Sequence, residues 1–185
     1  PNSKLGSRNG KGLNENLARE ILELHTLGVG GGYTQADVIA FAKIITGWSI
    51  SREQESVTPG FAFRAVIHEP GAKTLLGKTY PEAGEREGLQ ALEDIARHPS
   101  TARHIATKLA RHFIADDPPA SAINQLAQAF SSSDGDLMTV YRTLIALPEC
   151  WKDPLAKFKT PYEYILSASR LLDAKPQAER IPLAF

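Results

Sequence analysis

Residues 12–48 read GLNENLAREILELHTLGVGGGYTQADVIAFAKIITGW, two helical patterns separated by a glycine run. Projected at about 100° per residue, Leu13, Leu17, Ile21, Leu24 and Gly28 fall on one stripe, widened by Ala18 and Leu22. Asn16, Arg19, Glu23 and Thr26 lie opposite, so the stripe predicts a helix with one face in a core. Gly28 supplies the left-handed residue on which such a helix stops. His25 projects between Ile21 and Leu22 on the apolar face, where an imidazole is expected to be buried and hydrogen-bonded. Gly30, Gly31 and Gly32 leave a helix and meet Tyr33, whereas a phosphate cradle follows a strand and opens a helix. Thr34 with Asp37 three residues on matches a capping box, so a second helix starts at Gln35. Val38, Phe41, Ala42 and Ile45 share one side of it, with Ile39 and Ile44 beside them. That arc suits a buried helix ending near Gly47 and Trp48.

Beyond Trp48 the pattern changes. Residues 49–59, SISREQESVTP, are polar and without period, which marks a surface loop. Residues 61–68 and 73–80 are β-prone runs separated by Glu69-Pro70-Gly71-Ala72, and Pro-Gly suits a turn, so one β-hairpin is predicted over 61–80. From Gly84 the helical period returns, with Leu89, Leu92, Ile95 and Ala96 on one face and Glu93 with Arg97, or Asp94 with His98, spaced to pair on the other. Pro99 and Ser100 open a further helix, Ser100 as its cap, with Ala102, Ile105, Ala106, Leu109 and Phe113 facing the core. A helix from about Ala120 to Phe130 follows, then a capped linker at 131–136. Next comes a segment carrying Leu137, Val140, Tyr141 and Leu144, broken by Pro148 and Pro154. Thr160-Pro161 starts a last helix whose Tyr164, Ile165, Ala168, Leu171 and Leu172 are expected to face inward.

Several of these stretches carry a resemblance. ENLAREILELHTLG, GGYTQADV, TGW, HEPGAKTLLG at 68–77, HPSTARHIATKLARHFIADDPP at 98–119, GDLMTVYRTLI and KFKTPYEYI resemble, in order, the motifs of the bacterial domain-of-unknown-function family 1800. The resemblance implies a mainly helical protein, often exported and often encoded beside another exported protein. It implies no reaction and no catalytic residues. Members are commonly much longer, so these residues are expected to be a middle portion. The lone Met138, the opening at Pro1 and the apolar close at 181–185 agree with that expectation. On the same resemblance the protein is expected in the periplasm or outside the cell, with another exported envelope protein and the missing flanks of its own chain as partners.

Composition narrows the classes. With 185 residues, 42% of them hydrophobic, the chain can bury one good core. Equal acidic and basic counts leave no basic field for nucleic acid, and no apolar run is long enough for a membrane span. Cys150, the single cysteine, has no internal disulfide partner and reads as a small buried hydrophobe beside Trp151. The five histidines lack metal-ligand spacing: His104 and His112, on one helix, are eight residues or about 12 Å apart. No metal or cofactor is therefore expected. A Gly-x-Ser-x-Gly elbow is absent from the sequence, and Glu20 with Glu23 reads as a solvated helix face rather than a glycosidase pair. His104, Lys108 and Arg111 form a cationic stripe, the best candidate for holding an anion or a partner. Service to the helix end, with Asp116 and Asp117 as counter-charges, explains them equally well. Trp48 and Trp151 could stack on a sugar, but an apolar helix end is the more economical home for each.

The expected architecture is a single mainly α domain over 1–185, a bundle of about six to eight helices with one small β-hairpin. The expected function is a binding or scaffolding module of the cell envelope. The competing class is a hydrolase acting on an envelope polymer, with Glu20, His25 and His68 as acid-base residues in one pocket.

Overall fold

The computed structural model describes residues 2–3, 12–51, 60–152 and 157–174. Most of the polar stretch at 49–59, the break at Pro154 and the apolar close at 181–185 lie outside them. The Asn14 side chain accepts from the Leu17 N–H at 3.1 Å and caps α1, Glu15–Glu20. The helix then widens into a π-helical turn, Ile21–His25. That turn inserts one residue into the period, so Leu22 and Leu27, five apart, hold the buried positions that residues four apart would otherwise take. The insertion turns Leu24 and His25 outward, correcting the expected buried histidine: both are exposed. Leu17 is exposed too, because the face that packs is centred on Ala18 and Leu22. Gly28 closes the segment with φ +85°.

Helix α2, Gln35–Ile44, carries the expected capping box: Thr34 Oγ1 accepts from the Asp37 N–H, and the Asp37 carboxylate accepts from the Thr34 N–H at 2.8 Å. The other Asp37 oxygen accepts from the Leu76 N–H at 2.7 Å, tying this helix to a turn 39 residues away. Burial pushes the Asp37 carboxyl up, but the hydrogen bonds from Thr34 and Leu76 more than reverse it, so it sits below the usual carboxylate range. Val38, Phe41 and Ile44 are fully buried, each contributing about 1.5–3 kcal/mol of apolar transfer.

The strands correct the single hairpin. β1, Trp48–Ile50, pairs antiparallel with β2, Phe61–Phe63, and β3, Lys73–Leu75, pairs separately with β4, Lys78–Tyr80. A 3-10 turn at Ala65–Ile67 leads from the first pair towards the second. The tight turn is Leu76-Gly77, with φ +50° and +77°, not Pro70-Gly71.

Helix α3, Glu85–Ala96, turns Glu87, Gly88, Ala91 and Ile95 inward and leaves Leu89 exposed. The pairing of Arg97 with Glu93 is present at 3.5 Å, but Asp94 takes Lys78 and the Tyr80 hydroxyl, each at 2.6 Å, in place of His98. His98 instead caps α4, Pro99–Phe113, its Nδ1 accepting from the Ser100 N–H at 3.1 Å. Then come α5, Ala120–Ser132, and α6, Leu137–Ala146, whose N-cap Asp136 accepts from the Met138 and Thr139 N–H groups. A short α7, Glu149–Lys152, and α8, Pro161–Leu171, follow.

Among the described residues the chain is thus mainly α, with eight helices and two small antiparallel strand pairs. Its buried residues form two apolar clusters. One joins α1, α2, α3 and the β3–β4 pair; the other joins α4, α5 and α6. Thr101 Oγ1, donating to the Ile95 carbonyl at 2.7 Å, and Arg97, paired with Asp134 at 2.7 Å, bind the end of α3 to the second cluster. Neither α7 nor α8 has a buried residue. Tyr164, Ile165, Leu171 and Leu172, expected inside, are all exposed because no described element packs over them.

Candidate functional site

Two features of this fold could carry function, a polar network inside the first cluster and an apolar groove on the second. The network begins where α2 ends. Thr46 Oγ1 donates to the Lys43 carbonyl at 2.5 Å and accepts from the Glu69 N–H at 2.8 Å. The Thr46 carbonyl lies 2.7 Å from His68 Nδ1, and a carbonyl only accepts, so Nδ1 carries the proton. His68 Nε2 faces Glu87 Oε2 at 3.3 Å and Lys73 Nζ at 3.4 Å. Lys73 Nζ also donates to the Glu69 carbonyl at 2.6 Å and to Glu87 Oε2 at 3.1 Å. Glu87 Oε1 stands 3.1 Å from the same ammonium, but neither it nor the buried Trp48 Nε1 has a hydrogen-bond partner.

Two glycines let this network close. At Gly47, φ is +91° and a Cβ would lie 2.7 Å from the Phe63 ring and 3.2 Å from His68 Cβ. At Gly88 a Cβ would lie 2.5 Å from the Trp48 indole, so the ring rests directly on the α3 backbone. Trp48 is therefore seated on Gly88 rather than on an apolar helix end. Phe63 meets the His68 ring edge-on at 5.4 Å. The result is sealed: the side chains of His68, Lys73 and Glu87 are 5%, 3% and 0% exposed. A polar hollow of about 450 Å³ adjoins the outer side of Lys73 and Glu69, but the Glu69 carboxylate already accepts from the Asn2 N–H and side-chain amide at 2.8 and 2.6 Å. These buried contacts join the end of α2 with β3 and α3.

Glu20 and His25 stand on exposed positions of the α1 segment, and neither is among the partners of buried His68, so the structure does not assemble the three into one centre. His104 Nε2 and Lys108 Nζ lie 3.1 and 3.4 Å from the Leu24 carbonyl, at the end of the π-helical turn, where helix carbonyls lack internal partners. Gly28 makes room for His104, whose Nδ1 would lie 2.7 Å from a Cβ there. His104 borders a hollow of about 220 Å³ with Gly28, Arg103 and Ser100; Lys108 and Arg111 do not line it. Arg111 is exposed, and its carbonyl accepts from Lys157 Nζ at 2.6 Å. Among the described residues no group of three His, Cys, Asp or Glu side chains is placed to share a metal ion.

The groove is of the opposite character. It holds about 550 Å³ between Leu109 and Phe113 of α4, Tyr141, Leu144 and Ile145 of α6, and Cys150 and Trp151 of α7, with no charged side chain among the described residues that line it. Its far wall is fixed by side chains that cap the end of α6. Cys150 Sγ donates to the Leu144 carbonyl at 3.0 Å, and Trp151 Nε1 to the Ile145 carbonyl at 2.9 Å. The indole, 73% exposed, is thereby held across the groove in place of sheltering at a helix end. Burial, then the nearby Glu149 charge, pushes the Cys150 thiol up, which keeps it an inert lining group.

A model of the family described as "Protein of unknown function (DUF1800)" matches residues 2–183. The chain belongs to that family. No curated protein and no solved structure matches it. In this DUF1800 chain the segments TGW and HEPGAK meet Glu87 in the polar network, which gives physical content to motifs otherwise seen only as sequence. Of the network residues, His68 alone was selectable in advance. Lys73 hid in a strand pattern, Glu87 in a helix read by its apolar residues, and Thr46 among helix-end residues. Among the described residues no helix of this DUF1800 chain is long and apolar enough to cross a membrane.

Proposed function

We propose that this DUF1800 chain is a binding module whose working surface is the apolar groove between α4, α6 and α7, with the His68–Lys73–Glu87 network as its internal brace. The observation that carries the reading is the groove itself: an uncharged channel of about 550 Å³ with Trp151 and Ile145 open to solvent at 73% and 63%. Exposed apolar patches of this kind mark interaction surfaces. Apolar side chains from three helices lining one groove suit an amphipathic helix with anchors at i, i+4 and i+7. The family resemblance points to the bacterial envelope as the setting, and on this reading the module would scaffold an envelope assembly rather than turn over a substrate.

A synthetic amphipathic helical peptide with leucines at i, i+4 and i+7 should shift the emission of Trp151 to the blue on titration. Ile145→Asp should weaken the binding by about tenfold or more, because a charge would be buried under an apolar helix. Unchanged emission at saturating peptide, or equal binding by Ile145→Asp, would contradict the reading.

A further inference from the structure

Helix α8 offers the groove an apolar stripe. It carries Tyr164, Ile165, Ala168 and Leu171, continued by Leu172 at its C-cap, a stripe at i, i+1, i+4, i+7 and i+8 that spans about 12 Å. Leu171 is 86% exposed, and no residue of the helix is buried. Its departure is nevertheless fixed beside the groove. The Phe158 N–H donates to Asp116 Oδ2 at 2.9 Å, and Lys157 Nζ reaches the Arg111 carbonyl at 2.6 Å, both at the end of α4 whose Phe113 lines the groove. From that anchor only residues 159 and 160 precede the helix, and its direction is set by Pro161 and a capping box, with Thr160 N–H donating to Glu163 at 2.9 Å. With Tyr164, Ile165 and Leu171 exposed, and Ile145 and Trp151 of the groove exposed as well, α8 does not cover the groove of its own chain in this structure.

We infer that the groove receives α8 of a second copy of this chain, the two copies exchanging helices about a two-fold axis. The inference rests on the groove being a helix-binding surface and names the helix. The described residues of one chain supply both this groove and this apolar helix, the two surfaces that a closed isologous pair exchanges. The exposed apolar side chains of the two surfaces amount to on the order of 1,000 Å² per chain, above the roughly 800 Å² per partner of a stable interface. Both surfaces are apolar where they meet, so pairing leaves no buried charge.

The test is the solution mass of the chain by light scattering, for wild type, Ile145→Asp, Leu171→Asp and an equimolar mixture of the two variants. Both substituted side chains are exposed, and circular dichroism checks that each variant folds; Trp151→Asp and Tyr164→Asp repeat the test from either side. Wild type should run as two chains and each variant as one. The mixture keeps one of the two groove–helix contacts, the intact helix of Ile145→Asp in the intact groove of Leu171→Asp, so a two-chain species should return, more weakly than in wild type. A two-chain wild type untouched by either variant, or a mixture that forms no two-chain species at concentrations far above those at which wild type pairs, would overturn the exchange. A one-chain wild type that still binds the synthetic peptide would overturn the exchange and leave the groove reading standing. A one-chain wild type that binds no peptide would overturn both.

Discussion

Glu87→Ala is expected to destabilise the fold by about 3–5 kcal/mol, measured by urea unfolding at neutral pH. The carboxylate is fully buried with Lys73 and His68 as its polar neighbours, so its removal strands an ammonium whose side chain is 3% exposed. Losing a buried ionic partner costs far more than the pair itself is worth, because the remaining charge keeps its desolvation penalty. The double replacement Lys73→Met with Glu87→Met should recover much of the loss, since it removes both charges at similar volume. A loss below about 1 kcal/mol for Glu87→Ala, the range of a surface ion pair, would show that the network does not brace the fold.

Gly47→Ala should cost about 2–4 kcal/mol, from a left-handed backbone that a Cβ resists and a clash with packed neighbours. At φ +91° the new methyl would stand 2.7 Å from the Phe63 ring and 3.2 Å from the Arg64 carbonyl. Phe63 cannot retreat without disturbing His68, against which its ring is stacked edge-on. Near-ultraviolet circular dichroism, which reports Trp48 and Phe63 packing, should change along with the unfolding midpoint. A midpoint equal to wild type would mean that the segment from α2 to β1 tolerates rearrangement and that the TGW motif has another basis.

These two residues also show where legibility ended. Caps were readable in part because they are local: Thr34 with Asp37 closes hydrogen bonds within three residues, as their spacing predicts, whereas α4 is capped by His98 and not by the expected Ser100. Strand pairing was not readable. Phe61–Phe63 pairs back across the polar stretch to Trp48–Ile50, and Leu76 occupies a left-handed turn position that its side chain disfavours, held there by Asp37 from another helix. Helix faces were read by counting apolar residues, which hides a buried carboxylate. Glu87 and Gly88 face inward because Trp48 needs a position without a side chain to lie on, a demand set by the fold and not by α3. The one-residue insertion after Glu20 likewise depends on packing, and it alone moves His25 from core to surface. The groove escaped notice because Trp151 and Cys150 line it only once they cap the α6 carbonyls.

The central claim is that the apolar groove, and not the polar network, is the surface that meets other molecules. Hydrogen exchange of Leu171→Asp, whose groove no second copy fills, with and without the amphipathic helical peptide tests it most directly, since a bound helix slows opening of the backbone it covers. The account predicts added protection in 109–113 and 141–151, with exchange unchanged in 46–48, 68–73 and 85–88. Protection gained in the second set and absent from the first would contradict it.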